Sequence, residues 1–342
     1  MYRFTNDYSE AAHPALLQAI SATSEEGNFG YGCDPYTEKA EKMILQLCKA
    51  ENAQVHFLVG GTQTNLTAIS AFLRPYQAAI AADSGHICVH ETGAIEATGH
   101  KCIAMPTPDG KLTPALVRQA VQQHPDEHMV QPKLVYISNT TENGGIYTTA
   151  ELKALREVCS ELGLLLYLDG ARLGSALAAG ATTLPDLAQL CDAFYIGGTK
   201  NGALFGEALV IVNPQLQQDF RYSIKQRGGL LAKGWLLGVQ FIELMKNDMK
   251  LYLEMAHHAN DLALQLKHGI EKCGYTFYSD SCSNQQFPIL PNTVLEKLRA
   301  DFHWEEMGAF GEDKTIIRLV TSWATRQEAV DAFLKALENA RS

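Results

Sequence analysis

Two short turns carry the residues of this chain best suited to covalent chemistry. Asp169 ends an apolar run in residues 166–174, which read LYLDGARLG. Lys200 follows in residues 192–206, DAFYIGGTKNGALFG. A primary amine set among glycines just beyond a buried strand is a nucleophile suited to a carbonyl. A carboxylate beyond a neighbouring strand can hold a heteroaromatic nitrogen protonated, so that the ring draws electrons from a bond at a substrate α-carbon. Pyridoxal 5′-phosphate is the cofactor that needs both. Read singly, Lys200 is as good a surface turn residue, and Asp169 as good a helix cap. Their shared setting, with Arg172 beside Asp169, favours the chemical reading.

A third turn, FLVGGTQTN at residues 57–65, closes a strand candidate and opens a helix. Glycines there leave backbone amides free at a helix N-terminus and Thr62 adds a hydroxyl, which makes an anion site from partial charges. The pattern is neither of the glycine-rich signatures of nucleoside triphosphate or dinucleotide sites, so those ligands lose their main support. Arg318 sits inside an apolar run, TIIRLVTSW. A buried guanidinium needs a partner; a substrate carboxylate held by two parallel hydrogen bonds is one candidate, and an internal ion pair is the other.

The elements that must position these groups follow from hydrophobic patterning. Short apolar runs at 55–59, 78–82, 102–105, 134–138, 164–168, 194–196 and 208–212 predict strands. Helical patterns at 114–123 and 150–162 lie between them, the second placing Leu152, Leu155, Val158 and Leu162 on one face. Continuous apolar runs separated by helices imply a largely parallel sheet covered on both faces. Beyond residue 213 the pattern changes to helices at 233–247 and 251–273, strands at 275–278 and 315–320, and helices at 292–301 and 326–340. The expected organisation is an N-terminal segment (1–40) packing with the small domain and a partner subunit, a large α/β domain (41–245) and a small α+β domain (246–342).

Composition sets bounds on partners. Of 342 residues, 46% are hydrophobic and 19% charged, which suits a packed globule. A net charge of −10 without a basic cluster argues against nucleic acid and anionic membrane as partners. The first residues, MYRFTNDYSEAAHP, lack the apolar stretch of a secretory signal, and no run is long enough to span a bilayer. The eight cysteines are scattered with no Cys-x-x-Cys pair, as in a reduced cytoplasmic protein, and no metal site is expected.

In order and over essentially the whole chain, these motifs resemble those of the threonine aldolase / aromatic amino acid β-eliminating lyase family. That family consists of fold-type I enzymes dependent on pyridoxal 5′-phosphate, with a mainly parallel large domain and a small C-terminal α+β domain. The resemblance implies that Gly61, Thr62 and Gln63 form a phosphate cup, and that Lys200 and Asp169 hold the cofactor. It assigns His86, in ADSGHICVHE, to stacking on the ring, with Glu91 also matching; His90 reads as structural. It sets Arg172 beside the ring hydroxyl and the substrate carboxylate, with Arg318 as carboxylate clamp. Asn6 falls where relatives have a serine near that carboxylate. Tyr31, in NFGYGCDPYTEKAE, matches a tyrosine that reaches a neighbouring subunit's site, so a homo-oligomer (dimer or tetramer) is implied. Arg227 and Lys233 flank a glycine-rich helix start that lends a cation to the phosphate. One stretch departs from the pattern: residues 138–145, SNTTENGG, lack the family's histidine and are one residue longer. Glu142 is the candidate proton acceptor in its place. The implied reaction is cleavage of a β-hydroxy-α-amino acid of the threonine or allo-threonine kind to glycine and an aldehyde. The alternatives are β-elimination, with Lys200 as α-proton base, and a non-catalytic binding protein.

Overall fold

The computed structural model describes residues 1–341. Its centre is a seven-stranded sheet in the spatial order Gln54–Leu58, Glu207–Ile211, Ala193–Gly197, Leu165–Asp169, Gln131–Ser138, Gln77–Ala82 and Lys101–Met105. Glu207–Ile211 runs antiparallel to both its neighbours, and the remaining pairings are parallel. The apolar runs explain the burial. Every residue of Gln77–Ala82, Ala193–Gly197 and Glu207–Ile211 is buried, as strands covered on both faces must be. Removing a leucine- or isoleucine-sized side chain from water stabilises by about 1.5–3 kcal/mol. One core on one face gathers Val135, Ile137, Leu166, Leu168, Phe194 and Ile196. The alternate strand residues, Tyr136, Tyr167 and Tyr195, enter the core of the opposite face.

Local signals account for the covering helices. Thr149–Leu162 starts with a capping box between Thr148 and Glu151 and stops at Gly163, whose φ of 65° suits glycine. The two helices expected at 233–247 and 251–273 form one run, Trp235–Lys272, interrupted by non-helical backbone at Lys246–Met249. Its first part packs into the large core through Leu237, Phe241 and Leu244, and its last part into the small one through Leu262, Leu266 and Ile270.

The small domain pairs Lys314–Val320 with Pro288–Pro291, Gln285–Gln286 and Glu305–Phe310. Gln327–Ala340 lies against it. Glu305–Phe310 is exposed along its whole length, so no alternation marks it as a strand. The N-terminal segment divides between the cores. Tyr2–Arg3 pairs with Phe302–His303 and Phe4 joins the small core, whereas Ala12, Leu16, Ala40 and Ile44 belong to the large one. Cys48, Cys159, Cys191 and Cys273 are buried free thiols; Cys88 and Cys102 are half-buried, and Cys33 and Cys282 exposed. Among the described residues, no helix is long and apolar enough to cross a membrane.

Candidate active site

The parallel strands end on one side of the sheet, where α/β proteins concentrate ligand contacts. Register places Ser138 opposite Asp169, and pairs Glu207 with both Gly197 and Leu58. The turns that follow those strand ends enclose a cavity of about 420 Å³. Gly60, Gly61 and Thr62 come from one turn, His86 and His90 from a second, and Ser138, Thr140 and Glu142 from a third. Asp169 and Arg172 come from a fourth, and Thr199 and Lys200 from a fifth. Tyr8 from the N-terminus and Arg318 and Glu305 from the small domain close it.

Asp169 is the most heavily supported group in the cavity. Tyr136 donates to its Oδ2 at 2.7 Å, Asn65 Nδ2 to the same oxygen at 2.9 Å and the Ala171 amide to Oδ1 at 3.0 Å. Tyr195 donates a further short bond to Oδ1. Burial pushes the carboxyl up, but the hydrogen bonds from Tyr136 and Tyr195 outweigh it and hold Asp169 below the usual carboxylate range. Asn65 also donates to Glu91 Oε1 at 2.8 Å and accepts from Tyr167 at 3.0 Å. Glu91 Oε1 in turn lies 2.8 Å from His86 Nδ1. One asparagine therefore orients both the carboxylate and the carboxylate that aims His86.

Lys200 is lowered as well, which for an amine favours the neutral form. Burial and then the Arg172 charge lower its proton affinity, against the pull of Asp7, Asp169 and Glu207. Glu207 is 3% exposed, accepts from Thr199 Oγ1 at 2.9 Å, and is pushed up to about 8, chiefly by burial. Glu142 accepts from the His86 amide at 3.1 Å and from Ser138 Oγ at 3.0 Å. Burial first and Asp169 second raise it above the usual range.

Each arginine is already engaged. Arg172 makes a two-point pair with Asp7, 2.7 Å through Nε and 3.1 Å through Nη2, and Asn284 adds a bond to Asp7 at 2.9 Å. Arg318 binds Glu305 through Nη2 and approaches Gln285 through Nη1 at 3.5 Å, while its buried Nε has no hydrogen-bond partner. Burial, then the Arg172 charge, lowers Arg318.

Thus Gly61, Thr62, His86, Glu142, Asp169, Arg172, Lys200 and Arg318 meet around one cavity, and His90, read from sequence as structural, joins them. Five other candidates do not line it. Asn6 accepts from the Tyr8 amide and Ser9 and so holds a local turn; its neighbours Asp7 and Tyr8 are the ones at the site. Gln63 spans from the Val59 amide to the Arg227 carbonyl. Arg227 is half-buried and Lys233 exposed. Tyr31 lies at a separate crevice with Arg221. Sequence reading missed Asp7, Asn65, Tyr136, Tyr195, Glu207 and Glu305; the one advance signal was that each of three strands carries a single tyrosine two residues before its end, as Tyr167 stands before Asp169.

An amine of lowered basicity and a buried ionised carboxylate, at the strand ends of a mainly parallel sheet with a small α+β domain over them, define the architecture of fold-type I enzymes. Serine palmitoyltransferase from Sphingomonas wittichii shares that fold, with a TM-score of 0.75 at 14% identity over 99% of this chain and 86% of that one. Residues 7–290 match the model of the β-eliminating lyase family, and the chain belongs to that family of lyases. It is 32% identical to the low specificity L-threonine aldolase of Pseudomonas aeruginosa, over 96% of this chain and 94% of that protein. The structure of a Leishmania major threonine aldolase is 48% identical and superposes with a TM-score of 0.98 over the full length of both chains.

Proposed function

We propose that this chain uses pyridoxal 5′-phosphate to cleave a β-hydroxy-α-amino acid of the threonine or allo-threonine kind into glycine and an aldehyde. The observation that carries the reading is one cavity holding the Lys200 amine, lowered in basicity, together with the ionised Asp169 and two guanidiniums. The residues fit the cofactor. The helix Gly61–Phe72 starts at Gly60 with no capping side chain, which leaves first-turn amides for an anion, and a Cβ at Gly61 would stand 3.0 Å from the Tyr195 hydroxyl. When bound, the cofactor supplies an aldehyde that captures amines and a ring that withdraws electrons from the bonds of the α-carbon.

The chain's own residues would do the rest. Lys200, with its lowered proton affinity, presents an unprotonated amine more readily than a solvated lysine. Asp169, kept ionised, would hold a ring nitrogen protonated. His86, aimed by Glu91, would form a wall for the ring. Arg318 offers its free Nε to the substrate carboxylate, and Arg172 stands beside it. Glu142, a stronger base than a solvated carboxylate, takes the proton of the β-hydroxyl. Carboxylate placement decides which α-carbon bond is aligned to break.

Oligomerisation belongs to the same reading. Tyr31 is 46% exposed and has a φ of 62°, a backbone state rarely held by a tyrosine. It is fixed there by a bond from its amide to Leu231, by Arg221 on its carbonyl, and by Lys225 over its ring at 4.4 Å. Local strain held by several contacts on an exposed aromatic suits a residue that serves another subunit. Tyr31 would complete the cavity of a second copy in a dimer or tetramer, and Arg227 and Lys233 are the candidates to lend a cation to the cofactor phosphate.

Two measurements test the activity. Borohydride reduction of the cofactor-loaded protein should place the pyridoxyl group on Lys200; another lysine would refute the assignment. Incubation with threonine and allo-threonine should yield glycine and an aldehyde. A keto acid with ammonia would establish β-elimination instead.

A further inference from the structure

Glu305 stands at the open side of the cavity, 46% exposed, directly across the strand pair from Arg318. It is bonded to Nη2 of that guanidinium, whose side chain is only 13% exposed. The buried Nε of Arg318 has no partner in the chain, and a substrate carboxylate that satisfies it would leave Glu305 on Nη2. The α-carboxylate then lies within one guanidinium's width of Glu305.

The other charges of the cavity are already balanced. Three lysines or arginines line it: Arg172 faces Asp7, Lys200 lies in the field of Asp7, Asp169 and Glu207, and Arg318 faces Glu305. His90, at the same opening, is lowered by burial and then by the His86 charge, so it offers no cation at neutral pH. Glu142 adds a further acid on the wall. Among the described residues of the cavity, a second substrate anion finds no unpaired lysine or arginine, and meets Glu305 first.

We propose that Glu305 is a charge filter for the substrate side chain: it anchors Arg318 while repelling any amino acid that carries a second carboxylate. The inference rests on the functional reading above. It assigns the substrate class as β-hydroxy-α-amino acids with neutral side chains. Like charges about 6 Å apart near a protein surface repel enough to weaken binding by roughly two orders of magnitude.

The test compares threonine with 3-hydroxyaspartate on the cofactor-loaded protein. We expect native kcat/KM to favour threonine by at least about 30-fold, and the preference to shrink as salt is raised, because Glu305 is partly exposed. Glu305→Gln, nearly isosteric, should reduce the preference at least tenfold and remove its salt dependence. Calorimetric titration of alanine against aspartate gives a second readout without turnover, and aspartate binding should gain at least tenfold in the variant. Native protein that cleaves both substrates within threefold of each other would overturn the filter while leaving the lyase reading intact. So would a Glu305→Gln variant with the native preference. Cleavage of neither substrate would overturn the functional reading and this inference with it. The salt series on native protein needs no variant to fold.

Discussion

Asp7→Asn is the sharpest perturbation the structure offers, because it removes one charge from a closed pair and almost no volume. Asp7 is 1% exposed and the Arg172 side chain 10% exposed, so water does not replace what is lost. The amide oxygen can keep the bonds of one carboxylate oxygen, but the NH₂ must take the place of either Oδ2, facing Arg172 Nε and Asn284 Nδ2, or Oδ1, facing Arg172 Nη2, and all three are donors. Unit charges about 4 Å apart at an effective dielectric constant near 20 attract by about 4 kcal/mol. Breaking a buried pair from one side costs about 3–5 kcal/mol in practice. The loss should be read from urea unfolding at fixed protein concentration, with Arg172→Met and the double variant completing a cycle. We expect the double variant to recover about 2 kcal/mol or more relative to additivity. The sign with pH follows from the folded state. Burial raises the Asp7 carboxyl, but Arg172, then Lys200, outweigh it and leave it depressed. Its contribution is therefore fully present above the unfolded value of about 3.9 and is lost as pH falls through the folded one. The gap between native protein and Asp7→Asn should be widest near neutrality and close in acid. A loss below about 1 kcal/mol, as for an exposed pair, or strict additivity in the cycle, would refute the reasoning.

Three further outcomes follow from the same geometry. Arg318→Lys should raise KM for the amino acid well above any change in cofactor affinity, since an ammonium lacks the planar fork that holds Glu305 on one donor and leaves another for the substrate carboxylate; unchanged substrate affinity would make Arg318 purely an ion-pair member. Glu142 must be ionised to accept a proton and is raised by burial, so kcat/KM should fall as pH drops through a value above the ordinary glutamate range. Glu142→Gln should remove that limb and about 10²–10⁴ of the rate, and a variant that keeps the limb would assign the base elsewhere. Mixing inactive Lys200→Ala with inactive Tyr31→Ala subunits should restore part of the activity, because a hybrid holds one site with both native residues; no recovery after proven subunit exchange would exclude a shared site.

Much of the site was legible before any coordinates, for a physical reason. A strand buried on both faces writes itself as a short apolar run, and the residues just past it must turn. Asp169, Lys200 and Gly61 stand at such ends, so local sequence placed them there, whereas His86 was singled out by the family resemblance. The tyrosines did not announce themselves in the same way. Tyr136, Tyr167 and Tyr195 look like ordinary core aromatics until register sets three strands side by side and brings two of their hydroxyls onto Asp169. Asn6 and Asp7 show the limit most plainly: adjacent in sequence, one holds a turn and the other pairs with a buried guanidinium. Glu305 comes from a strand without alternation, and only its pairing with Lys314–Val320 brings it to Arg318. Chain-local hydrophobic pattern determined the strands of the seven-stranded sheet and their ends. The partners of the charged groups were decided by tertiary structure, because a buried charge is matched by whatever the folded chain brings within hydrogen-bond reach, and here that reach joins Asp7 to Asn284 across 277 residues of sequence.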